Sequence, residues 1–161
     1  MERIAIFPGS FDPFTIGHKN IVDRALPLFD RIIIAIGVNS AKQPWMPLPE
    51  RIDAIHFVFA DEPQVEVDSF SGLAVDYARE RNARFLLRGV RTCADFDYER
   101  NMADANRMLP AGKDIETILL PALPEYAAVS SSLVRELARF GAPYAHLLPY
   151  TNHHPYTNLI T

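Results

Sequence analysis

The chain has 161 residues, of which 48% are hydrophobic and 22% charged, and its net charge is −4. This length fits about one domain with its own core, and this composition excludes an intrinsically disordered chain. The acidic balance argues against a general nucleic-acid binder, although a few clustered cations can still bind a small anion.

Strand and helix patterns alternate along the first half of the chain. A strand is predicted over residues 3–7, and a helical stripe of apolar residues follows over 17–26. The β-branched run at 31–38 is typical of a strand buried on both faces of a parallel sheet. Pro49 suits the first turn of the next helix, because a missing N–H costs nothing there. This half therefore predicts a strand–helix–strand–helix order.

The second half continues the alternation. We predict strands at 65–67, 85–87 and 117–120, and helices around Tyr77, over 97–108 and from about residue 130 to Gly141. Ser69 or Ser71 is the expected N-cap of the first of these helices. The pattern predicts an α/β fold with a single-domain, doubly wound, mostly parallel five-stranded sheet. We assign residues 1–150 to that domain and 151–161 to a polar C-terminal tail.

Other classes are excluded by the lack of certain features. No apolar run reaches the roughly 20 residues of a membrane span, and no signal peptide is expected. The single cysteine, Cys93, excludes an internal disulfide and a multi-cysteine zinc site. A cytoplasmic location is therefore expected.

The loop after the first strand is the first candidate binding site, because ligands bind beyond the carboxyl ends of strands in such sheets. It contains Gly9, which permits a tight turn and a close approach to a ligand, and Ser10. Gly17 and His18 open a helix, where free N–H groups favour phosphate and His18 can donate a hydrogen bond to a phosphoryl oxygen. The structural alternative is a plain strand–helix turn, since neither a Walker A nor a G-x-G-x-x-G motif is present.

Cations follow two further strands. Lys42 comes after the second strand, and Arg88 and Arg91 come after the fourth, with a glycine between them. Two guanidinium groups at this spacing can address one phosphate cluster. The alternatives are a solvated lysine and a polar surface turn.

Two polar segments complete the candidate residues. Asp95 and Glu99 are four residues apart and share a helix face, where they could bind a ribose or a metal-linked water, or only cap and solvate the helix. The three serines at 130–132 offer hydroxyl and N–H groups at a helix N-terminus, either as a phosphate cradle or as a redundant N-cap.

Taken together, these motifs are similar to those of a known family. The segment from Gly9 to His18 resembles the G-[ST]-F-D-P-x-[HT]-x-G-H signature of the nucleotidyltransferase superfamily. With Lys42, the R-G-[LVI]-R-x-x-x-D-[FY]-x-Y-E run from Arg88 and the [IV]-S-S-[ST] segment at 129–132, the chain resembles the bacterial phosphopantetheine adenylyltransferase family. The likeness runs from about residue 3 to about residue 149. Ser10 stands where threonine is commoner.

The resemblance implies a reaction and a set of residues. ATP and 4′-phosphopantetheine would give dephospho-coenzyme A and pyrophosphate, with His18 stabilising the transition state. The implied substrate contacts are Ser10, Lys42, Ala74 and Arg88, and Ala74, where a larger residue is common, would contribute a backbone contact. The implied ATP-binding residues are Ser10, Phe11, His18, Gly89, Val90, Arg91, Glu99, Tyr126, Ala127, Ala128, Val129, Ser130, Ser131 and Ser132.

Cofactor and partners are implied in the same way. Mg²⁺ is expected to arrive on the ATP phosphates, because it keeps water ligands and needs few protein ligands, so no protein metal site is expected. The resemblance also implies a homohexamer built as a dimer of trimers, and feedback binding of coenzyme A. Two alternatives stay open: a sister nucleotidyltransferase acting on nicotinamide or nicotinate mononucleotide or on glycerol 3-phosphate, and a non-catalytic nucleotide-binding sensor.

Overall fold

The computed structural model describes residues 2–39, 41 and 43–150. Lys42 and the tail at 151–161, both subjects of sequence-based predictions, lie outside these residues. Within the described ranges, five strands alternate with five α-helices, as the sequence pattern predicts. In chain order they are β1 (Ile4–Gly9), α1 (Ile16–Ala25), β2 (Arg31–Gly37), α2 (Leu48–Val58), β3 (Val65–Phe70), α3 (Ala74–Glu80), β4 (Phe85–Val90), α4 (Cys93–Arg107), β5 (Glu116–Pro121) and α5 (Ser131–Arg139).

The five strands form one parallel sheet in the order β3-β2-β1-β4-β5. The chain winds from β1 through β2 to β3 on one side, and then returns to place β4 on the other side of β1. This reversal makes the β1–β4 boundary the switch point of a doubly wound sheet, where a crevice opens at the carboxyl ends of the strands. The predicted fold class is confirmed.

The centre of the sheet is buried on both faces. In β2, Ile32, Ile34 and Ile36 face one core cluster, and Ile33 and Ala35 face the other. All five side chains are fully buried, and burying each isoleucine contributes about 1.5–3 kcal/mol. No helix among the described residues is long and apolar enough to cross a bilayer.

The starts of two helices differ from the sequence-based prediction. Helix α4 begins at Cys93, four residues before the predicted start, because the Thr92 side chain accepts a hydrogen bond from the Asp95 N–H at 3.1 Å. Helix α3 has no side-chain cap. Ser69 lies in β3, so it and Ser71 were the wrong candidates.

The structure also corrects the position of the fourth-strand arginine. Strand β4 extends to Val90, so Arg88 and Gly89 lie within the strand and not in the loop after it. The prediction that α5 ends before Gly141 is right, and Gly141 has a φ of 66°, which favours glycine.

Candidate active site

Two cavities lie at the carboxyl ends of the central strands. The first pocket, of about 400 Å³, lies between the loop after β1, the end of β4 and the start of α5. The second pocket, of about 730 Å³, lies beside the end of β2 and the start of α2. Ser10 and Arg135 line both pockets. The two cavities therefore meet at the loop that the sequence singled out.

Most of the residues implied to bind ATP line the first pocket. They are Ser10, Phe11, His18, Gly89, Arg91, Glu99, Tyr126, Val129, Ser130, Ser131 and Ser132. Val90, Ala127 and Ala128 belong to the same segments of chain but line neither pocket.

The residues implied to bind the second substrate are more scattered. Ser10 lines both pockets, and Arg88 lines the first. Ala74 begins α3, packs against the second core cluster and lines neither pocket. Lys42 lies outside the described residues, although Asn39 and Gln43 on either side of it line the second pocket.

A capping box orients the His18 ring at the start of α1. Its Nδ1 accepts a hydrogen bond from the Thr15 backbone N–H at 3.0 Å, and the Thr15 hydroxyl oxygen accepts one from the His18 N–H at 3.4 Å. Because Nδ1 is an acceptor, the proton of the neutral ring sits on Nε2. The ring is thereby left with Nε2–H as a donor.

The surroundings keep His18 uncharged. Its ring centroid lies 5.1 Å from that of Phe11 and 5.3 Å from that of Phe14. Burial first of all, and then the positive charges of Arg91 and Arg88, lower the pKa of His18 from 6.5 to about 4. At neutral pH the side chain can therefore donate a hydrogen bond to an anion without supplying a charge.

Carboxylates from α4 hold two of the three arginines that line the first pocket. Arg88 donates from Nη2 and Nε to the two oxygens of Glu99, at 2.6 and 2.9 Å, and from Nη1 to the Pro8 carbonyl at 2.6 Å. Arg91 pairs with Asp95 at 3.4 Å. Glu99 is buried, so its bidentate pair fixes the Arg88 guanidinium in place before any ligand binds.

The loop after β1 turns at Phe11 and not at Gly9 as the sequence analysis expected. Phe11 has a φ of 45°, which lies in the left-handed region. Gly9 is required for a different reason, since a Cβ there would lie 2.8 Å from the Phe11 ring. The close approach at Gly9 is thus to a neighbouring aromatic ring.

Two arginines that the sequence did not indicate hold this loop through hydrogen bonds to its backbone carbonyls. Arg51 of α2 donates from Nη1 to the Ser10 carbonyl at 2.7 Å. Arg135 of α5 donates from Nη1 to the Asp12 carbonyl at 2.6 Å. Neither lies in a recognised motif. The sequence did offer one indication for Arg51. It directly precedes Ile52, the first of the apolar positions predicted for that helix, which places a cation next to the apolar face.

Asp12 links the same loop to the segment before α2. Its carboxylate accepts hydrogen bonds from the backbone N–H groups of Trp45 and Met46, at 2.8 and 2.7 Å. Among the described residues, no group of three or more histidine, cysteine, aspartate or glutamate side chains could hold a metal ion. The acidic residues of the first pocket instead pair with arginines.

Comparison with known proteins gives consistent results. The cytidylyltransferase-like family model matches residues 6–137. A phosphopantetheine adenylyltransferase from Phocaeicola vulgatus is 50% identical over 147 residues, covering 91% of this chain and 95% of that protein. A phosphopantetheine adenylyltransferase from Bacteroides fragilis is 46% identical over 147 residues, covering 91% and 96%.

A solved structure shows the same fold at low sequence identity. It is a bifunctional NMN adenylyltransferase/ADP ribose pyrophosphatase from Francisella tularensis, complexed with AMP and a manganese ion. The TM-score is 0.67 at 15% identity, and the match covers 99% of this chain but 48% of that one. The chain therefore spans about half the length of that protein.

The parallel sheet, the loop bearing His18 and the family match define a transferase of the nucleotidyltransferase class. Half of the residues are shared with a relative over nearly the full length of both chains. The chain belongs to the phosphopantetheine adenylyltransferase family, and the resemblance predicted from the sequence is confirmed.

Proposed function

We propose that the two pockets bring ATP and 4′-phosphopantetheine together at Ser10. The enzyme transfers the adenylyl group of ATP to the phosphate of 4′-phosphopantetheine, giving dephospho-coenzyme A and pyrophosphate in coenzyme A biosynthesis. The observation that carries this arrangement is that Ser10 and Arg135 line both cavities, so ligands in the two cavities would meet there.

ATP occupies the first pocket in this proposal. Ser130 caps α5 by accepting a hydrogen bond from the Leu133 N–H at 3.1 Å, which leaves the hydroxyl hydrogen free to donate. The N-terminus of α5 favours phosphate through its free N–H groups and its dipole. Val90, Ala127 and Ala128 would contribute through the backbone of the same segments. The acceptor approaches from the β2 side through the second pocket. The resemblance adds Lys42 and Ala74 as its proposed contacts.

The chemistry requires positioning and charge stabilisation more than proton transfer. An oxygen of the acceptor phosphate, already anionic, forms a bond to the α-phosphorus of ATP. The bond from that phosphorus to the β-phosphate oxygen breaks, and pyrophosphate leaves with the electron pair. No general base is needed, which fits a His18 whose pKa is about 4. Its Nε2–H would stabilise charge developing on the α-phosphoryl oxygens.

The arginines contribute because they are in place before substrates arrive. Arg88 and Arg91 are held by Glu99 and Asp95, so little reorganisation is needed during the reaction. Mg²⁺ arriving with ATP would offset the repulsion between the two polyanions.

The proposal includes a homohexameric assembly, feedback binding of coenzyme A and a cytoplasmic location. The homohexamer is supported by helix α4, in which Glu99 is buried while Phe96, Tyr98 and Met102 are exposed. Tyr98 and Met102 are four residues apart and share a face of the helix, and exposed apolar side chains on one face are typical of a surface that another subunit covers. Sedimentation equilibrium tests the proposal, and a mass near one chain of 18.2 kDa would contradict it.

The reaction is tested by pyrophosphate release. The purified protein is given Mg-ATP with 4′-phosphopantetheine, and in parallel nicotinamide mononucleotide with ATP and glycerol 3-phosphate with CTP. We expect turnover with 4′-phosphopantetheine only. Turnover with one of the other acceptors, or ATP binding without any turnover, would overturn the proposed substrate.

A further inference from the structure

Arg51 is a buried cation that the proposed reaction does not yet use. It lies in the first turns of α2, it is 6% exposed, and it lines the second pocket. Of its five N–H donors, one hydrogen bond to a described residue is made, from Nη1 to the Ser10 carbonyl. Its Nε is buried with no hydrogen-bond partner.

Arg51 makes no ion pair with a described carboxylate. The acidic residue that lines the same pocket is Asp12, whose two oxygens accept hydrogen bonds from the backbone at Trp45 and Met46 and not from Arg51. Arg88 and Arg91 in the first pocket, by contrast, each have a carboxylate partner. A buried charge without a partner is costly, so a fold that retains one has a site prepared for an anion.

We propose that Arg51 forms a phosphate subsite in the second pocket. Its contact with the Ser10 carbonyl places it beside the loop where the two substrates meet. The anion is a phosphate group, which belongs either to the acceptor or to the pyrophosphate end of ATP. The inference rests on the proposed function for the identity of these two ligands, but not for the presence of the subsite.

The subsite is tested by comparing pairs of ligands in which one member lacks a phosphate group or the pyrophosphate end. Isothermal titration calorimetry measures the binding of 4′-phosphopantetheine against pantetheine, and of Mg-ATP against AMP. The variants are Arg51→Gln, which keeps an N–H donor for the Ser10 carbonyl but removes the charge, and Arg51→Lys, which keeps the charge. Arg24→Met is the matched control, because Arg24 also donates to a backbone carbonyl, that of Pro121 at 2.7 Å, and lines neither pocket.

We expect Arg51→Gln to weaken the binding of one phosphate-bearing ligand by about tenfold or more. The affinity for the matching ligand without that phosphate should change by less than about twofold. Arg51→Lys should recover part of the loss, and Arg24→Met should show none. A loss confined to 4′-phosphopantetheine assigns the subsite to the acceptor, and a loss confined to Mg-ATP assigns it to the leaving pyrophosphate. Equal losses within both pairs, or no loss, would show that Arg51 only supports the loop.

A second measurement does not depend on the folding of Arg51→Gln. In the wild-type protein, the Arg51 Nε–H resonance is identified by its absence from the Arg51→Lys spectrum. We expect this resonance to shift when 4′-phosphopantetheine or Mg-ATP is added, and not when the matching pantetheine or AMP is added. A resonance that none of these ligands shifts would overturn the subsite. Failure of the wild-type protein to release pyrophosphate would instead overturn the proposed reaction, so the two failures are distinguishable.

Discussion

The two pockets differ in how their positive charges are held. In the first pocket, Arg88 and Arg91 are paired with carboxylates of α4. In the second, Arg51 donates to a backbone carbonyl, and so does Arg135, which lines both cavities. A carboxylate offsets part of the charge of the arginine that it holds, whereas a carbonyl holds the arginine without adding an opposing charge.

A site that joins two polyanions needs both a fixed geometry and a net positive charge, and the two kinds of contact supply one each. Paired arginines keep a fixed geometry, which suits a site where charge develops during the reaction. Arginines held by carbonyls keep a net positive charge that attracts an anion. Because the carbonyls belong to Ser10 and Asp12, the same contacts also fix the loop between the pockets.

Removing the Nε2–H donor of His18 tests the fixed geometry of the first pocket. We expect His18→Ala to lower kcat by roughly 100-fold or more, about 2.7 kcal/mol, if the donor acts as one oxyanion-hole group does. The KM values should change less, because the donor is needed most in the transition state. Steady-state kinetics measures both parameters.

His18→Gln serves as the matched control for that variant. A glutamine at the third helix position can still accept the Thr15 N–H through its side-chain oxygen, so the capping box is retained. Its amide NH2 group can still donate a hydrogen bond, so we expect it to lose less kcat than His18→Ala and to unfold with a free energy closer to that of the wild type. A wild-type kcat in His18→Ala would remove His18 from the transition state.

Glu99→Gln removes the charge that balances Arg88. The side chains of this pair are 12% and 29% exposed, so the partner left behind is largely desolvated. We expect the free energy of unfolding to fall by about 2 kcal/mol, less than for a fully buried pair. Urea denaturation measures the change.

Glu116→Gln is the control for Glu99→Gln, because it breaks an arginine pair on the surface. The Arg107–Glu116 side chains are each 53% exposed, and such pairs contribute less than about 1 kcal/mol. Equal losses in the free energy of unfolding would show that burial does not determine how much the Arg88–Glu99 pair contributes to stability.

Much of the fold follows from local sequence patterns. The β-branched run that becomes β2 is unmistakable, because every side chain from Ile32 to Ile36 is buried. The start of α4 was less predictable, since Glu99 is the buried residue of that helix and no apolar stripe marks its first turns. A helix held to the sheet by an ion pair lacks the periodic signal of a helix held by apolar packing.

The candidate site divides in the same way. His18 and Ser130 lie in segments that match the family motifs, and the resemblance is what predicts a phosphate site there. Arg51 and Arg135 act on the loop after β1 from 41 and 123 residues away along the chain, and no local pattern predicts such contacts. The sequence therefore indicates the residues that line the first pocket better than those that hold the loop after β1.

Acidification tests the electrostatics of the first pocket through His18. Its pKa is about 4 in the folded chain, against 6.5 for the unperturbed group. Between these values the unfolded chain binds more protons, so the free energy of unfolding falls as pH falls from about 6.5 towards 4. We expect this contribution to be about 1.5 kcal/mol, reduced from the full shift because one edge of the ring faces an open pocket.

The measurement compares urea denaturation of the wild type and of His18→Gln at several pH values. Other titrating groups are common to both proteins, so the difference between the two curves isolates His18. The stability advantage of the wild type should decrease on acidification and stay constant above about pH 7. Parallel curves would contradict a lowered pKa.

Two helix caps give the smallest expected effect and separate structure from ligand binding. Ser130 and Thr92 each accept a hydrogen bond from a backbone N–H at 3.1 Å, at the starts of α5 and α4. Replacing either by alanine should lower the free energy of unfolding by about 1 kcal/mol. Ser130 lines the first pocket and Thr92 does not, so only Ser130→Ala should also raise the KM for ATP, by about fivefold, for the loss of one hydroxyl donor. An equal KM in the two variants would mean that the Ser130 hydroxyl caps α5 and contributes nothing to the phosphate site.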